Sequence, residues 1–569
     1  MFDYFVTLVA SLSIMSLTAC GPTEDRGTGS LSSVDSMSPE SNQDAPVANR
    51  SKQNRDLPAF AIKNPYLVDG ISALTHWDPA QQDVTIVPGP SGIQQIEASQ
   101  IKRLPGGLIN ISYVNAPHYP TGEKIIWLAN NNRVAKVLVD GENYAQIASF
   151  ELPGQPAMSP ELADEITSIL DSFDTEEELL DYMEENFEGY GRRVAARAGV
   201  YPVMDFEGNF YTLVNDRLMV FADKTRNDPY SEIELKRSFQ MPKNLLNPTQ
   251  YAPDAIFGFN MTYDGKLAFV TMGGVLGILD RNFEADPVFL QFHGETISNS
   301  IAIDADSGIY VVTDKYMRKV VWTGHALSED PADGAWRSEY KSQSGLIGGA
   351  RVGSGSGATP SLMGFGDEDK LVVITDGAEV MNIVAFWRDD IPEDFVQQEG
   401  TYSRRIAGEK KVTFGVDHLE MAQSEQSVAV MGYGAFVVNN SGPGELPDVI
   451  QNVVTSGVSR KGPTGVEKFA WDPVTDEWAY AWANSEVNSP STVPMVSAGS
   501  NQVYVNRFAD SAWEITGLDW DTGEVITRLI LGDSHAYNGA YSLIQVMYDG
   551  DIVIGGLTGH YRIDTERAN

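Results

Sequence analysis

Hydrophobic positions are distributed very differently along the length of this chain. Residues Phe5 to Leu17 (FVTLVASLSIMSL) form an apolar run broken only by Ser and Thr. The run is shorter than the roughly 20 apolar residues a membrane-spanning helix needs, and its length suits a signal-peptide core. Residues 21–56 are rich in Ser, Pro, Asn, Asp and Gly and poor in apolar side chains. Such a segment cannot bury enough surface to offset its ordering entropy, which predicts a flexible tether.

From about residue 107 the pattern becomes one of short β-rich runs separated by Asp/Gly/Asn turns. Lys124–Ala129, Phe210–Val214, Leu267–Thr271, Ile309–Thr313, Leu371–Thr375, Val428–Gly432, Val503–Asn506 and Ile552–Gly555 are all of this kind. Most share a context in which an apolar strand runs into an Asp/Gly turn and then into a second, β-branched strand. Val203-Met-Asp-Phe-Glu-Gly-Asn-Phe-Tyr211, Met261-Thr-Tyr-Asp-Gly-Lys-Leu-Ala-Phe269 and Val546-Met-Tyr-Asp-Gly-Asp-Ile-Val553 align on this plan. Gly accepts the positive φ of a tight hairpin without steric cost. Equivalent turns recur at roughly 40 to 60 residues, the size of a four-stranded propeller blade with its loops. Arranging such sheets around an axis removes the edge problem of an isolated sheet.

The expected fold is therefore all-β, a β-propeller of about seven blades. Seven units can be counted, the range is six to eight, and an eighth arises if the chain ends pair to close the ring. A small helical insertion interrupts the plan near 159–197. Leu162, Ile166, Ile169, Leu170 and Phe173, then Leu179, Leu180, Met183 and Phe187, recur at helical spacing. Ser159-Pro160-Glu161 and Thr175 before Glu176–Glu178 are helix starts, and the pair is expected to cap one face of the ring. Gly345 to Ser361 reads as a long glycine-rich blade connection; it lacks the Gly-Lys-Ser/Thr of a phosphate loop.

Composition narrows the partners. With 40 basic and 78 acidic residues the formal charge is −38, which repels phosphate backbones and argues against nucleic acid. The single cysteine excludes an intramolecular disulfide and thiolate metal clusters. That cysteine follows the apolar run directly. Leu17-Thr18-Ala19-Cys20 resembles the bacterial lipobox, although Met1 to Tyr4 holds Asp3 and no Lys or Arg. The resemblance implies lipid transfer to Cys20 and cleavage before it. Residues 1–19 would then be the signal peptide, 20–56 the lipidated tether and 57–569 the propeller. Gly21 in place of Asp implies sorting to the outer membrane, facing the periplasm or the exterior, with the membrane as partner through the lipid.

Asn299-Ser-Ile-Ala-Ile-Asp304 followed by Gly308-Ile-Tyr-Val-Val-Thr-Asp314 resembles an innermost strand and turn of calcium-dependent propellers. These include the gluconolactonase/regucalcin, strictosidine-synthase-like and paraoxonase families, where an Asn opening the inner strand ligates a central calcium. Asn260 lies near the corresponding place one blade earlier, offset by one position. Gly517-Leu-Asp-Trp-Asp-Thr-Gly-Glu524 is similar to the Asp-x-x-Thr-Gly motif of quinoprotein repeats, without their adjacent-cysteine disulfide.

Propeller chemistry gathers where inner strands begin, around the channel mouth. The polar residues expected there are His293, Glu295, Asn299, Asn260, Asp417, His418, Glu420 and His535. Asn260, Glu295, Asn299 and Asp417 offer the oxygen ligands calcium prefers, although Asn and Asp also cap turns. His293, His418 and His535 could serve as general bases activating water, as iron or zinc ligands, or as structural hydrogen-bonders. Trp471, Trp478, Trp482, Trp513 and Trp520 are expected to pack between blades. Two functions remain open from sequence. One is a calcium-dependent hydrolase or lactonase acting on a small molecule at the channel. The other is a non-enzymatic binding or assembly scaffold at the outer membrane.

Overall fold

The computed structural model describes residues 57–107, 110, 112–115, 119–141, 143–155, 158–186, 199–247, 254–342, 355–440, 455–458 and 462–565. These form eight sheets that meet their neighbours in chain order, and the last meets the first. Each blade begins on an inner strand and runs outward antiparallel.

Blade 1 comprises Ser112–Asn115, Ile125–Ala129, Arg133–Asp140 and Asn143–Glu151. The inner strands of blades 2 to 7 are Val203–Met204, Ile256–Met261, Ala302–Ile303, Ser361–Met363, Ala429–Met431 and Met495–Ser497. Blade 8 takes Ile544–Val546, Ile552–Gly556 and Gly559–Ile563 from the C-terminal end and its outermost strand, Ile101–Pro105, from the N-terminal side. Pairing of the two ends thus supplies the eighth blade and locks the ring.

The hairpin units predicted from sequence are the first and second strands of blades. Asp205 shows why the turn forms: its Oδ1 accepts from Glu207 N–H and Asn209 N–H, both at 2.9 Å, and its Oδ2 from the Tyr211 hydroxyl at 2.9 Å. Asp304 repeats the arrangement with Asp306, Gly308 and Tyr310. The middle strands are buried on both faces, whereas the outer strand of blade 2, Ile233–Gln240, alternates with solvent. Aromatic rings fill the seams between blades. Trp127 stacks on Phe210 at 5.5 Å, Trp336 on Phe386 at 6.1 Å, and Trp387 meets Trp471 edge-on at 5.8 Å. Burying a ring the size of Phe210 contributes about 1.5–3 kcal/mol. Trp471 and Trp478 occupy a seam core, and Trp482 donates from Nε1 to Trp520 O, so these tryptophans pack as expected.

Between blades 1 and 2 lie helices α1 (Pro160–Leu170) and α2 (Glu176–Asn186). Ser159 caps α1 by accepting from Leu162 N–H at 3.2 Å. Ile166, Leu170, Leu179 and Met183 pack on Ala540 and Leu557 of blade 8, so the helices cover the ring end at which the inner strand of blade 8 begins. The rest of the expected insertion, and residues 343–354 of the glycine-rich connection, lie outside the described residues. So does Cys20.

Candidate functional site

The channel of this propeller is filled by its own chain. Residues 64–85, for which the sequence shows no strand pattern, form a strap along the free edges of the inner strands. Asn64 Nδ2 donates to Met261 O at 2.9 Å, beside the first turn of blade 3. Val68 N–H donates to Met204 O at 3.1 Å, Met204 N–H to Ala73 O at 2.8 Å and Thr75 N–H to Pro202 O at 3.2 Å, along blade 2. The strap then passes from blade to blade along the ring. Its carbonyls at Pro79, Ala80, Gln82 and Asp83 accept from Ile303, Leu362, Val430 and Val496, one residue on each of blades 4 to 7, at 2.7–2.9 Å. Val84–Thr85 continues as a parallel strand on the inner strand of blade 7, and Gly92–Gln95 pairs with that blade's outer strand. Inner-strand edges carry N–H and C=O groups that water cannot easily reach, and the strap satisfies them.

The strap is locally distorted along this path. His76, Trp77, Gln81 and Asp83 have φ of 66°, 72°, 59° and 57°. Left-handed backbone at non-glycine residues costs of order 1 kcal/mol or more each and persists where the surroundings impose it, most often at functional sites. Within this strained turn His76 Nδ1 lies 2.7 Å from Asp83 Oδ1. The His76 and Asp83 side chains are 3% and 0% exposed. In the neutral tautomer that donates from Nδ1–H to the carboxylate, Nε2 of His76 is the acceptor. Asp83 Oδ2 has no hydrogen-bond partner among the described residues. Burial raises the Asp83 pKa, and His76 opposes that rise. Asp78, two residues from His76, is pushed up to about 7 by burial; the Ala80 and Gln81 N–H groups and His76 oppose the rise, and Asp83 adds to it.

Tyr201, which precedes the inner strand of blade 2, adopts φ of 55° and sets its ring 6.1 Å from that of His76. Its hydroxyl engages the Thr359 side chain and the Ser300 backbone, at the starts of the inner strands of blades 5 and 4. Burial, with smaller contributions from the carboxylates of Asp83 and Glu425, pushes it up to about 12. The phenol therefore stays protonated at neutral pH and can donate. His76, Asp83, Tyr201 and Glu425 converge at the channel end where inner strands begin. This set combines an oriented imidazole, a buried carboxylate and a neutral hydroxyl donor.

The residues singled out from sequence are dispersed. Asn260 is buried on its inner strand; Nδ2 donates to Pro79 O at 3.0 Å and Ile301 O at 2.9 Å, and Oδ1 accepts from Met261 N–H. It fastens the strap to the ring. Glu295 is clasped by Arg318 through both oxygens and by the Thr313 hydroxyl. Asn299 donates to Ser356 O at 2.9 Å, tying blade 4 to the approach to blade 5. Asp417 and His418 are exposed in the connection after the outer strand of blade 5, lining a surface hollow of about 230 Å³. His293 is exposed beyond the outer strand of blade 3. His535 is buried beside α1, its N–H donating to Asp171 Oδ1 at 2.7 Å. The expected ring of calcium ligands and histidines at the mouth is corrected accordingly. Asn260 and Glu295 have their oxygens committed elsewhere and Asp417 lies on the periphery, so the four donors do not fit one calcium ion. Among the described residues no group of three or more His, Cys, Asp or Glu side chains is placed to hold a metal.

No family model matches the chain. A protein of Archaeoglobus fulgidus described as uncharacterized is 37% identical over 377 residues, covering 64% of this chain and 70% of that protein. Among solved structures, the quinohemoprotein alcohol dehydrogenase of Comamonas testosteroni is similar over 90% of this chain and 82% of its own, at 11% identity and a TM-score of 0.45. The C-terminal WD40 domain of Sif2 is similar over 82% of this chain and 98% of its own, at 10% identity and a TM-score of 0.43.

Proposed function

The chain belongs to the same family as the Archaeoglobus fulgidus protein, and we propose that it is an envelope β-propeller, anchored by lipid on Cys20, that binds a small ester or lactone at the strapped channel mouth and hydrolyses it. The observation that carries this reading is the buried His76–Asp83 pair at 2.7 Å, held in strained backbone beside the Tyr201 hydroxyl.

The chemistry follows from the roles those groups can take. His76 Nε2 removes a proton from water as the water oxygen attacks the acyl carbon. Asp83 stabilises the imidazolium that results. Tyr201 donates to the oxygen on which negative charge develops. The carbon–oxygen bond of the ester then breaks, and the proton held on Nε2 passes to the departing alkoxide.

Turnover of a panel of aryl esters and aliphatic lactones by the full chain tests the reading. His76→Ala should lower kcat/KM about 10²–10⁴-fold. Tyr201→Phe should cost up to about 10²–10³-fold in kcat, the range for loss of one oxyanion donor. Absence of turnover across the panel, or equal rates in His76→Ala, would overturn it.

The scaffold reading is favoured by one feature of blade 7. Ile93, on the added edge strand, is 74% exposed, and Val525 and Ile526 are exposed on the strand it joins. That reading requires Ile93→Asp to abolish association with an envelope partner while His76→Ala leaves it intact.

A further inference from the structure

Exposed apolar side chains gather at one end of the ring. The strands of each blade run antiparallel, so the turns joining first to second and third to fourth strands all lie at the end opposite the channel mouth. Phe206 and Tyr548, in the first turns of blades 2 and 8, are 51% and 54% exposed. Val396 and Val474, between the third and fourth strands of blades 5 and 6, are 81% and 89% exposed. Among the described residues, the mouth-end turns that join second to third strands carry no exposed large apolar side chain. Exposed apolar residues scattered singly need no explanation, but their collection on one face marks an interaction surface.

The centre of that face is built by the chain that leads into the strap. A Cβ on Gly432, in the first turn of blade 6, would lie 3.2 Å from Pro58 Cβ. The Tyr263 hydroxyl, in the first turn of blade 3, donates to Ile62 O at 2.6 Å. Phe206 N–H donates to Tyr66 O at 3.0 Å, and the two rings meet edge-on at 6.1 Å. Burial, then the charges of Asp69 and Lys63, act on the Tyr548 hydroxyl, which places it beside the same segment. Ile62, 70% exposed, therefore shares this face with Phe206 and Tyr548.

The carboxylates around these three side chains are paired, although the chain as a whole carries a charge of −38. Asp69 meets Lys63 at 2.6 Å, and Glu207 meets Arg281 and Asp549 meets Arg562, each at 3.4 Å. The Arg281 guanidinium also lies 4.8 Å from the Phe206 ring centre. Leu57 opens the described body on this face, so the 56 residues before it, Cys20 among them, join the ring here.

We propose that this face rests on a zwitterionic lipid surface, with Ile62, Phe206 and Tyr548 entering the interface and the channel mouth turned away. The inference rests on the anchoring proposed above only for bringing a membrane within reach. Apolar and aromatic tips supply the attraction. The net charge sets the lipid class, since anionic headgroups repel the rest of the chain.

Flotation with phosphatidylcholine vesicles tests this, using the chain from residue 20 with Cys20→Ser, which has neither lipid nor the apolar run yet keeps every described residue. It should float with the vesicles, and the bound fraction should fall as phosphatidylglycerol replaces phosphatidylcholine at low salt. Ile62→Asp combined with Phe206→Asp should lower the partition coefficient about tenfold or more. Val416→Asp, in the mouth-side connection after blade 5, should leave it unchanged. Absence of flotation, equal flotation in the double variant, or dimers in solution that the double variant abolishes would overturn the proposal. The anchor is read separately: retention of the wild-type chain by membranes, lost on Cys20→Ser, keeps the anchor whether or not this face binds vesicles.

Discussion

The blades and the strap are built from the same chain under opposite constraints. Leu371–Thr375 in blade 5 is buried along its whole length and pairs with strands on both sides, so its stability comes from side chains in regular backbone. The strap from Leu67 to Thr85 is equally buried at its centre, yet it is fixed chiefly through main-chain bonds to inner strands, with left-handed turns at His76, Trp77, Gln81 and Asp83. The blades show how a ring is made. The strap shows how its hole is turned into a floor carrying titratable groups that no blade strand could present at the axis.

Removal of residues 57–90 should therefore be the most damaging change. It would expose inner-strand edges on several blades at once, and the loss should exceed the roughly 5–15 kcal/mol that stabilises a typical folded protein. Loss of cooperative thermal unfolding and of near-ultraviolet circular dichroism would show it; a ring that still melts cooperatively would break the comparison. Point changes should separate the two regions more finely. Phe386→Ala, in the blade 4–5 seam, should cost about 3–5 kcal/mol, and Leu74→Ala in the strap about 2–5 kcal/mol, in chemical denaturation.

The same contrast explains what could be read in the sequence. The runs Lys124–Ala129, Phe210–Val214 and Leu371–Thr375 are all strands, because packing on both faces demands β-branched and aromatic side chains. The helices were legible from Ser159, Pro160 and the apolar spacing of Ile166, Leu170, Leu179 and Met183. The eighth blade was legible only as a closure, since Ile101–Pro105 pairs with Gly559–Ile563 from the far end of the chain. The strap left no periodic trace, because main-chain bonds impose no side-chain pattern. His76 and Asp83 were missed with it. Asn260 and Asn299 were rightly placed on or before inner strands, but the groups at the axis come from the strap, and these asparagines hold elements together. The one available signal was compositional: Thr75-His-Trp-Asp-Pro-Ala-Gln-Gln-Asp83 puts His, Trp and two Asp in a stretch with no strand alternation.

Within the strap, the His76–Asp83 pair should contribute less than the core positions. A hydrogen bond to a charged group contributes about 1.5–3 kcal/mol. Burial already works against the Asp83 charge, so Asp83→Asn regains part of that and should cost about 1–2 kcal/mol net. Denaturant unfolding of the variant at neutral pH checks this. A cost as large as that of Leu74→Ala would mean that the pair, not the main chain, anchors the strap.

Asp78 should produce a smaller effect confined to one pH range. Its folded pKa is about 7 against an ordinary 3.8, so the folded chain keeps a proton that the unfolded chain releases. Below about pH 4 both states hold it. Between about pH 4 and 7 unfolding releases it, and stability falls as pH rises through that range. Asp376, in blade 5, is also pushed up to about 7 and adds a second contribution of the same sign. Asp78→Asn retains a side-chain oxygen for the Ala80 N–H, bonded at 2.7 Å, while removing the titration. Stability measured at pH 5 and pH 8 should differ less in Asp78→Asn than in the wild type, and Asp376→Asn should remove a separate share. An unchanged difference in Asp78→Asn would place the strap titration elsewhere.

The smallest expected effects fall at the residues whose chemistry was most visible in the sequence. Asp417 and His418 are exposed around their hollow, and His293 is exposed beyond the outer strand of blade 3. The loop that carries the first two is organised instead by Glu467, which accepts from Thr413 N–H at 2.7 Å, the Thr413 hydroxyl at 2.8 Å and Phe414 N–H at 3.0 Å. Asp417→Ala, His418→Ala and His293→Ala should each change stability by no more than about 0.5 kcal/mol, as surface substitutions do. They should also leave ester and lactone turnover at the wild-type rate, because the oriented imidazole lies at the axis and these side chains lie at the rim. A large loss of turnover in His418→Ala, with His76→Ala unaffected, would move the chemistry to the hollow outside blade 5 and leave the strap a purely structural floor.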